Sequence, residues 1–449
     1  MSALANSVSR RRFLLGTTAV AGAAAMAACG GQGSTSDSSG TVRLQVTVWL
    51  GADEVTAMKK LLTRFNKAHP GIDVQMINIV NGGPYGSTKL QQMIAGGTPP
   101  DLMMLNSGQF ESLAARKALA PLDDLVAKHK VDLGVYWPQS VTGCRFDGKL
   151  YGLPKDISNV IVYLNTSLFD KAKVAVPSAD WSWEEYRSAA KELTAKLNTG
   201  TKVTKWGTVL VNADWSWSPF VWTNGGEVYQ GKQCLVADPK AQQGLDFYFG
   251  LRVKDKAAPS SGALASFGTQ SAELNAFLGG AIGFGIFGPW LRPGLIDTAK
   301  FDWTIRPVPK GPQGQPAVIP VFTDMWGMSA STKHKEEAST LLTWLTGEAG
   351  QQAWLDIYGG RSITPIKKLT LSNQWLDYGG KAHRVDNQAI LDQLVPDRNR
   401  RPAVAFGGGA EAETLWDNEF KVVLAGQESV AQATQKVCSR LTTILERSS

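Results

Sequence analysis

The residues of this chain that could do chemistry are spaced in ways that exclude more reactions than they permit. The four histidines, His69, His129, His334 and His383, are too far apart in sequence for any two to share a metal at ligand spacing, so no zinc site is expected. No G-x-S-x-G elbow is present to expose a nucleophilic serine. Gly283-Phe-Gly-Ile-Phe-Gly288 has the glycine spacing of a dinucleotide-binding loop, but apolar side chains fill its intervals. Pro289 and Trp290 follow where a helix would have to open, so the segment reads as a strand. Gly226 to Lys232 has phosphate-loop spacing, yet Gln233 stands where Ser or Thr would hold magnesium. Asp101 and Asp156 can be pictured on either side of a glycosidic bond, but Asp101 follows Pro99-Pro100 and reads as turn support. Neither a cofactor nor a metal is expected.

What stands out instead suits recognition. Tryptophan occurs 15 times. An indole fills a core well, but it is also a flat face on which the C–H surface of a ligand can stack. Trp215 and Trp217 alternate with serine, and in an extended segment they would share one face. Charged residues make up 19% and apolar residues 43%, which is ordinary for a globular protein. Three of the +7 net charges are Arg10, Arg11 and Arg12, and no basic run favours nucleic acid.

These groups need elements to position them. Leu44 to Trp49 reads as a strand, and Val55 to His69 has a helical apolar stripe closed by Pro70-Gly71. Ile72 to Met76 alternates as a strand does; Leu90 to Ala95 is a short helix, Asp101 to Leu105 a third strand, and Gln109 to Ala118 a helix. A second unit starts with the β-branched run Val160 to Leu164. Ser182-Trp-Glu-Glu has the form of a capping box opening a helix to Leu197. Strands are expected at 206–211, 282–287 and 321–329, and helices at 245–253, 273–278, 335–345 and 350–357. Two C-terminal helices break at Gly426. Alternation of strand and helix predicts α/β units with mostly parallel sheets. The 449 residues are too many for one core, so two domains are expected.

The N-terminus carries an address. A polar stretch with Arg10–Arg12 precedes an apolar run from Phe13 to Ala28, too short to span a bilayer. Ser9-Arg-Arg-Arg-Phe-Leu-Leu resembles a twin-arginine export signal, and Met26-Ala-Ala-Cys-Gly resembles a lipobox that would acylate Cys29. Residues 1–28 are therefore read as a signal peptide and 29–40 as a lipidated cysteine on a flexible Gly/Ser tether, placing the protein at the outer face of the cytoplasmic membrane. Cys144, Cys234 and Cys438 then remain, enough for at most one internal disulfide and one leftover thiol.

Several segments in order resemble one family. Gly97-Thr-Pro-Pro-Asp-Leu-Met-Met-Leu-Asn, Ala118-Leu-Ala-Pro-Leu-Asp-Asp-Leu, Asp147-Gly-Lys-Leu-Tyr-Gly-Leu-Pro-Lys-Asp and Val162-Tyr-Leu-Asn-Thr-Ser-Leu-Phe are similar to landmarks of the family 1 extracellular solute-binding proteins. So are Trp181-Ser-Trp-Glu-Glu-Tyr, Gly288-Pro-Trp and Tyr358-Gly-Gly-Arg-Ser-Ile-Thr-Pro. These are the sugar-binding subunits of ABC importers, the group of the maltose-binding protein. The resemblance implies a two-lobed periplasmic-binding-protein fold with the ligand between lobes: residues 41–153 with 330–368, and 156–322 with 372–449.

It also implies where ligand contacts fall. Trp49 ends the first strand; Asn106, Ser107 and Gln109 follow the third. Asp156 lies at the first crossing between lobes, and Thr323, Asp324 and Trp326 lie at the second, where the family usually has smaller residues. Trp290 falls on the Trp of Gly-Pro-Trp, and Arg361 follows Gly359-Gly360. Trp215 and Trp217 are added as one wall, whereas Trp181 and Trp183 are read as packing residues. The implied partners are a mono- or oligosaccharide, the ABC permease subunits, and the membrane through the lipid, with the protein itself monomeric and not an enzyme. Two alternatives are a glycerophosphodiester or polyol phosphate as ligand, and an exported glycoside hydrolase.

Overall fold

The computed structural model describes residues 40–79, 88–269 and 271–448. The export signal, Cys29 and most of the tether lie outside the described residues. Among the described residues no helix is long and apolar enough to cross a membrane.

Two sheets organise the chain. The first runs in the order Ile72–Asn78, Val42–Val48, Leu102–Leu105, Met325–Met328, Gly152–Pro154. Its first three strands are parallel, and Met325–Met328 is antiparallel to both neighbours. The helix Ala52–Ala68 covers it with the stripe Ala57, Met58, Leu61, Leu62 and Phe65, and ends at His69 as the His-Pro-Gly sequence requires. The second sheet runs Trp303–Arg306, Ile161–Asn165, Ile282–Phe287, Trp206–Val209, with Ile161–Asn165 the reversed strand. Each sheet therefore keeps a mostly common strand direction around one reversed strand. The helix Trp183–Leu197 opens with the expected capping box between Ser182 and Glu185. Trp181 and Trp183 are buried, as packing residues should be.

The G-x-G-x-x-G stretch is a fully buried strand. A Cβ on Gly283 would sit 2.7 Å from the Gly207 carbonyl oxygen, so this glycine serves close strand packing, not phosphate.

A narrow ribbon joins the two parts. Ser158–Asn159 and Ile319–Phe322 pair antiparallel, and Asn399–Arg400 flanks the latter. Just beyond the ribbon, the Lys155 and Asp156 N–H groups donate to the Asp324 carbonyl (2.8 and 3.3 Å), and the Asp324 N–H donates to Asp156 Oδ1 (3.2 Å). Three apolar clusters form the core. One lies under the first sheet, and one packs the second sheet against the C-terminal helices Gly409–Leu424 and Val430–Arg447. The third joins the other face of the second sheet to Tyr136, Ile363, Ile366 and Trp375. Cys234 and Cys438 form a disulfide and Cys144 is a buried free thiol.

Two local expectations are overturned. The single strand expected at 321–329 is two, Ile319–Phe322 in the ribbon and Met325–Met328 in the first sheet, parted at Thr323-Asp324. Trp215 and Trp217 do not lie on an extended segment but on the helix Asp214–Thr223. Two residues along a helix are about 200° apart, so the indoles point opposite ways. Trp217 is fully buried, edge-on to Trp416 and Phe420, while Trp215 stays partly open.

Candidate ligand-binding cleft

Between the two sheets lies a cleft of about 550 Å³, within the range of small-molecule sites. Its first wall is built at the C-terminal ends of strands, where α/β sheets place ligands. Trp49 follows Val42–Val48, Met104 belongs to Leu102–Leu105, and Asn106 and Ser107 come straight after it. Asn106 also caps the next helix, its Oδ1 accepting from the Gln109 N–H at 3.0 Å. Glu54 reaches the cleft from the first turn of Ala52–Ala68.

The opposite wall is aromatic. Trp290 is 44% exposed, edge-on to Trp215 (centroids 5.5 Å apart) and to Phe322 (6.1 Å). The Trp290 ring lies back over Gly288, where a Cβ would fall 2.0 Å from it. Glycine is therefore what allows the ring its place. Tyr358, Arg361 and Ser362 close one end. Arg361 is ion-paired with Asp297 (2.7 Å) and lies over the Tyr358 ring. Burial opposes the Arg361 charge, but the Asp297 hydrogen bond and charge together with Tyr378 and Tyr358 outweigh it and raise its pKa above the ordinary value.

The floor is charged. Lys155 Nζ is 2.7 Å from Asp156 Oδ2, and both side chains are almost wholly buried. Burial works against the ammonium, yet Asp156, Asp324 and Glu54 together hold the Lys155 pKa above its usual value. The Asp324 carboxyl is driven well up, by burial first and then by Asp156 and Glu54.

Behind the walls stands a fully buried Arg292. It donates to Asn387 Oδ1 (2.7 Å) and to the Gly360 carbonyl, and stacks over Trp375 and Tyr378. Burial lowers its pKa to about 10. It thereby ties the turn carrying Trp290 to the loop carrying Arg361.

The structure brings Trp49, Asn106, Ser107, Asp156, Trp215, Trp290, Asp324 and Arg361 to this one cleft. It does not bring four others. Trp217 is in the core. Trp326 sits on a strand flanked on both sides in the first sheet and is 1% exposed. Thr323 is buried, with its side chain against Gly143. Gln109, in the helix Ser107–Ala115, is not among the residues that line the cleft. Sequence reasoning missed Glu54, Lys155, Phe322 and Tyr358. Lys155 stood beside Asp156 in a motif already singled out, and that adjacency was the available signal. The pairing of Asp101 with Asp156 across a bond is not formed: Asp101 instead accepts from the Gln45 N–H and the Thr332 hydroxyl. Among the described residues no group of His, Cys, Asp and Glu could hold a metal ion.

The family model described as bacterial extracellular solute-binding protein matches residues 51–352. An arabinooligosaccharide-binding protein of Bacillus subtilis is 22% identical over 332 residues, covering 71% of this chain and 74% of that one. Among solved structures, an ABC substrate-binding protein of Listeria monocytogenes in complex with cycloalternan has a TM-score of 0.79 at 24% identity, covering 90% of this chain and 99% of that one. UgpB from Mycobacterium tuberculosis in complex with glycerophosphocholine has a TM-score of 0.77 at 19% identity, covering 91% and 99%. At these identities the structural likenesses speak for the fold, a two-lobed binding protein.

Proposed function

The chain belongs to the bacterial extracellular solute-binding proteins, the ligand-capturing components of ABC importers, and from that premise we propose that its own ligand is a mono- or oligosaccharide. The observation that carries this reading is the cleft's composition. Indoles and rings from both walls surround hydrogen-bonding groups on Asn106, Ser107, Asp156, Asp324 and Arg361. A sugar presents the complement: apolar C–H faces for the rings, and hydroxyls for charge-assisted hydrogen bonds. At about 550 Å³ the cleft has room for a short oligosaccharide. The oligosaccharide named for the Bacillus relative supports the same class.

Capture proceeds by closure of the lobes about the ribbon, with lobes at residues 41–153 plus 330–368 and 156–322 plus 372–449. The closed protein presents both lobes to the permease, and release follows reopening. No bond is made or broken. The lipobox-like segment supports anchoring through Cys29 to the outer face of the membrane, with the tether keeping the monomer within reach of its permease.

The glycerophosphocholine complex among the similar folds supports a second reading, a phosphodiester ligand. The cleft weighs against it. Its two cations are already paired, Lys155 with Asp156 and Arg361 with Asp297, and its remaining charged groups are acids. A thermal-shift panel of neutral sugars and glycerophosphodiesters, with chromatography of the mixtures afterwards, decides among these readings. Stabilisation by sugars with no product formed is expected. Stabilisation by phosphodiesters alone, or hydrolysis of a sugar, would refute the proposal.

A further inference from the structure

The charges of the cleft do not balance. Glu54, Asp156 and Asp324 line it, against Lys155 and Arg361. Lys155 is spent on Asp156 and Arg361 on Asp297, each at 2.7 Å. Two carboxyl groups are left over. Glu54 accepts its own helix-capping bond from the Gly51 N–H at 3.2 Å. The Asp324 carboxyl accepts no hydrogen bond from any described residue, although its main-chain N–H and carbonyl are both tied to the ribbon. Beside these acids stand the faces of Trp290, Trp215, Phe322 and Tyr358. Carboxylates next to aromatic faces, with no free cation, make a pocket that attracts positive charge and repels negative charge.

Resting on the carbohydrate reading of this cleft, we infer that its ligand is a sugar carrying a protonated amine, the ammonium seated against Glu54 and Asp324 and the ring faces on the indoles. The groups already present report the same field. Lys155 holds its proton more tightly than an ordinary lysine in spite of its burial. Burial, with Asp156 and Glu54 adding, raises the Asp324 pKa, the sign of a cleft short of positive charge. An arriving ammonium supplies the cation that Lys155 and Arg361, already paired, do not. A neutral sugar cannot.

The test is calorimetric titration of the protein with short gluco- and galacto-configured oligosaccharides in three matched forms: free amine, N-acetylated and uronate. The amine form should bind about tenfold more tightly than the N-acetyl form at low salt, the size expected for one charge-assisted hydrogen bond. The gap should shrink as salt is added. Glu54→Gln, which keeps an acceptor for the helix cap, and Asp324→Asn should each narrow the gap. Equal affinity for amine and N-acetyl forms, or tightest binding of uronates, overturns the inference and leaves the carbohydrate reading standing. Binding of no saccharide in any form overturns both.

Discussion

Trp290 and Trp326 carry the same side chain and have opposite surroundings. Trp290 is 44% exposed on the cleft wall, and Trp326 is 1% exposed in the first core. Replacing Trp290 with Ala removes a stacking face but little packing. It should weaken sugar binding by about tenfold or more while the urea midpoint barely moves, since one aromatic contact is worth ~1 kcal/mol beyond its buried area. Binding unchanged within error would take Trp290 out of the site. Trp326→Ala should cost ~3–5 kcal/mol of stability, read by urea unfolding, because the space of an indole cannot collapse inside a packed sheet. A loss under 1 kcal/mol would contradict its place in the core. Gly288→Ala belongs with Trp290: its Cβ would fall on the ring, so binding should drop with only a small loss of stability.

Single elements carry two further predictions. Arg292 opens the helix Arg292–Thr298, whose Asp297 also holds Arg361. Arg292→Met should free the Gly359–Ser362 loop. Amide exchange there should speed up, and affinity should fall; exchange as slow as in the wild type would show that other contacts hold the loop. The second prediction concerns the helix Asp214–Thr223, which carries Trp215 and starts against the helix Gly409–Leu424. Asp214 and Asp417 are raised to about 6, mainly by burial. Glu413 is raised to about 9 by burial, with Asp214 and Asp417 adding. The folded state keeps these protons longer than the unfolded chain, whose carboxyls titrate near pH ~4. The stability they contribute is therefore full at low pH and is lost as pH rises through 6 and on to 9. Glu413→Gln should flatten that fall in melting temperature; an identical profile would show that the cluster does not titrate in this range.

At the scale of the molecule, the disulfide Cys234–Cys438 closes a loop spanning 204 residues and stitches the strand Gln233–Cys234 to the last helix. Its reduction should destabilise the second lobe by about 5 kcal/mol in the chain-entropy treatment, visible as a lower melting temperature in reductant. An unshifted transition would mean that the unfolded chain gains little freedom. The amino-acid sequence by itself determined the repeating local pieces: the stripe of Ala52–Ala68, the Ser182 capping box, the buried strand Ile282–Phe287 and the break at Gly426. Each of these is set by neighbours within a few residues, through helical period, cap chemistry or a turn residue. Motif order also gave the two-lobed family, because segments such as Gly288-Pro-Trp lie in one continuous stretch. What only the tertiary structure decided was facing. Whether an indole meets ligand or core depends on which helix or sheet covers it. That covering set apart Trp215 from Trp217 and Trp290 from Trp326, and it paired Cys234 with Cys438 while leaving Cys144 free. The balance of charge in the cleft was decided in the same way. Glu54, Lys155, Asp324 and Arg361 are scattered along the chain, and only the fold brings them within reach of one ligand.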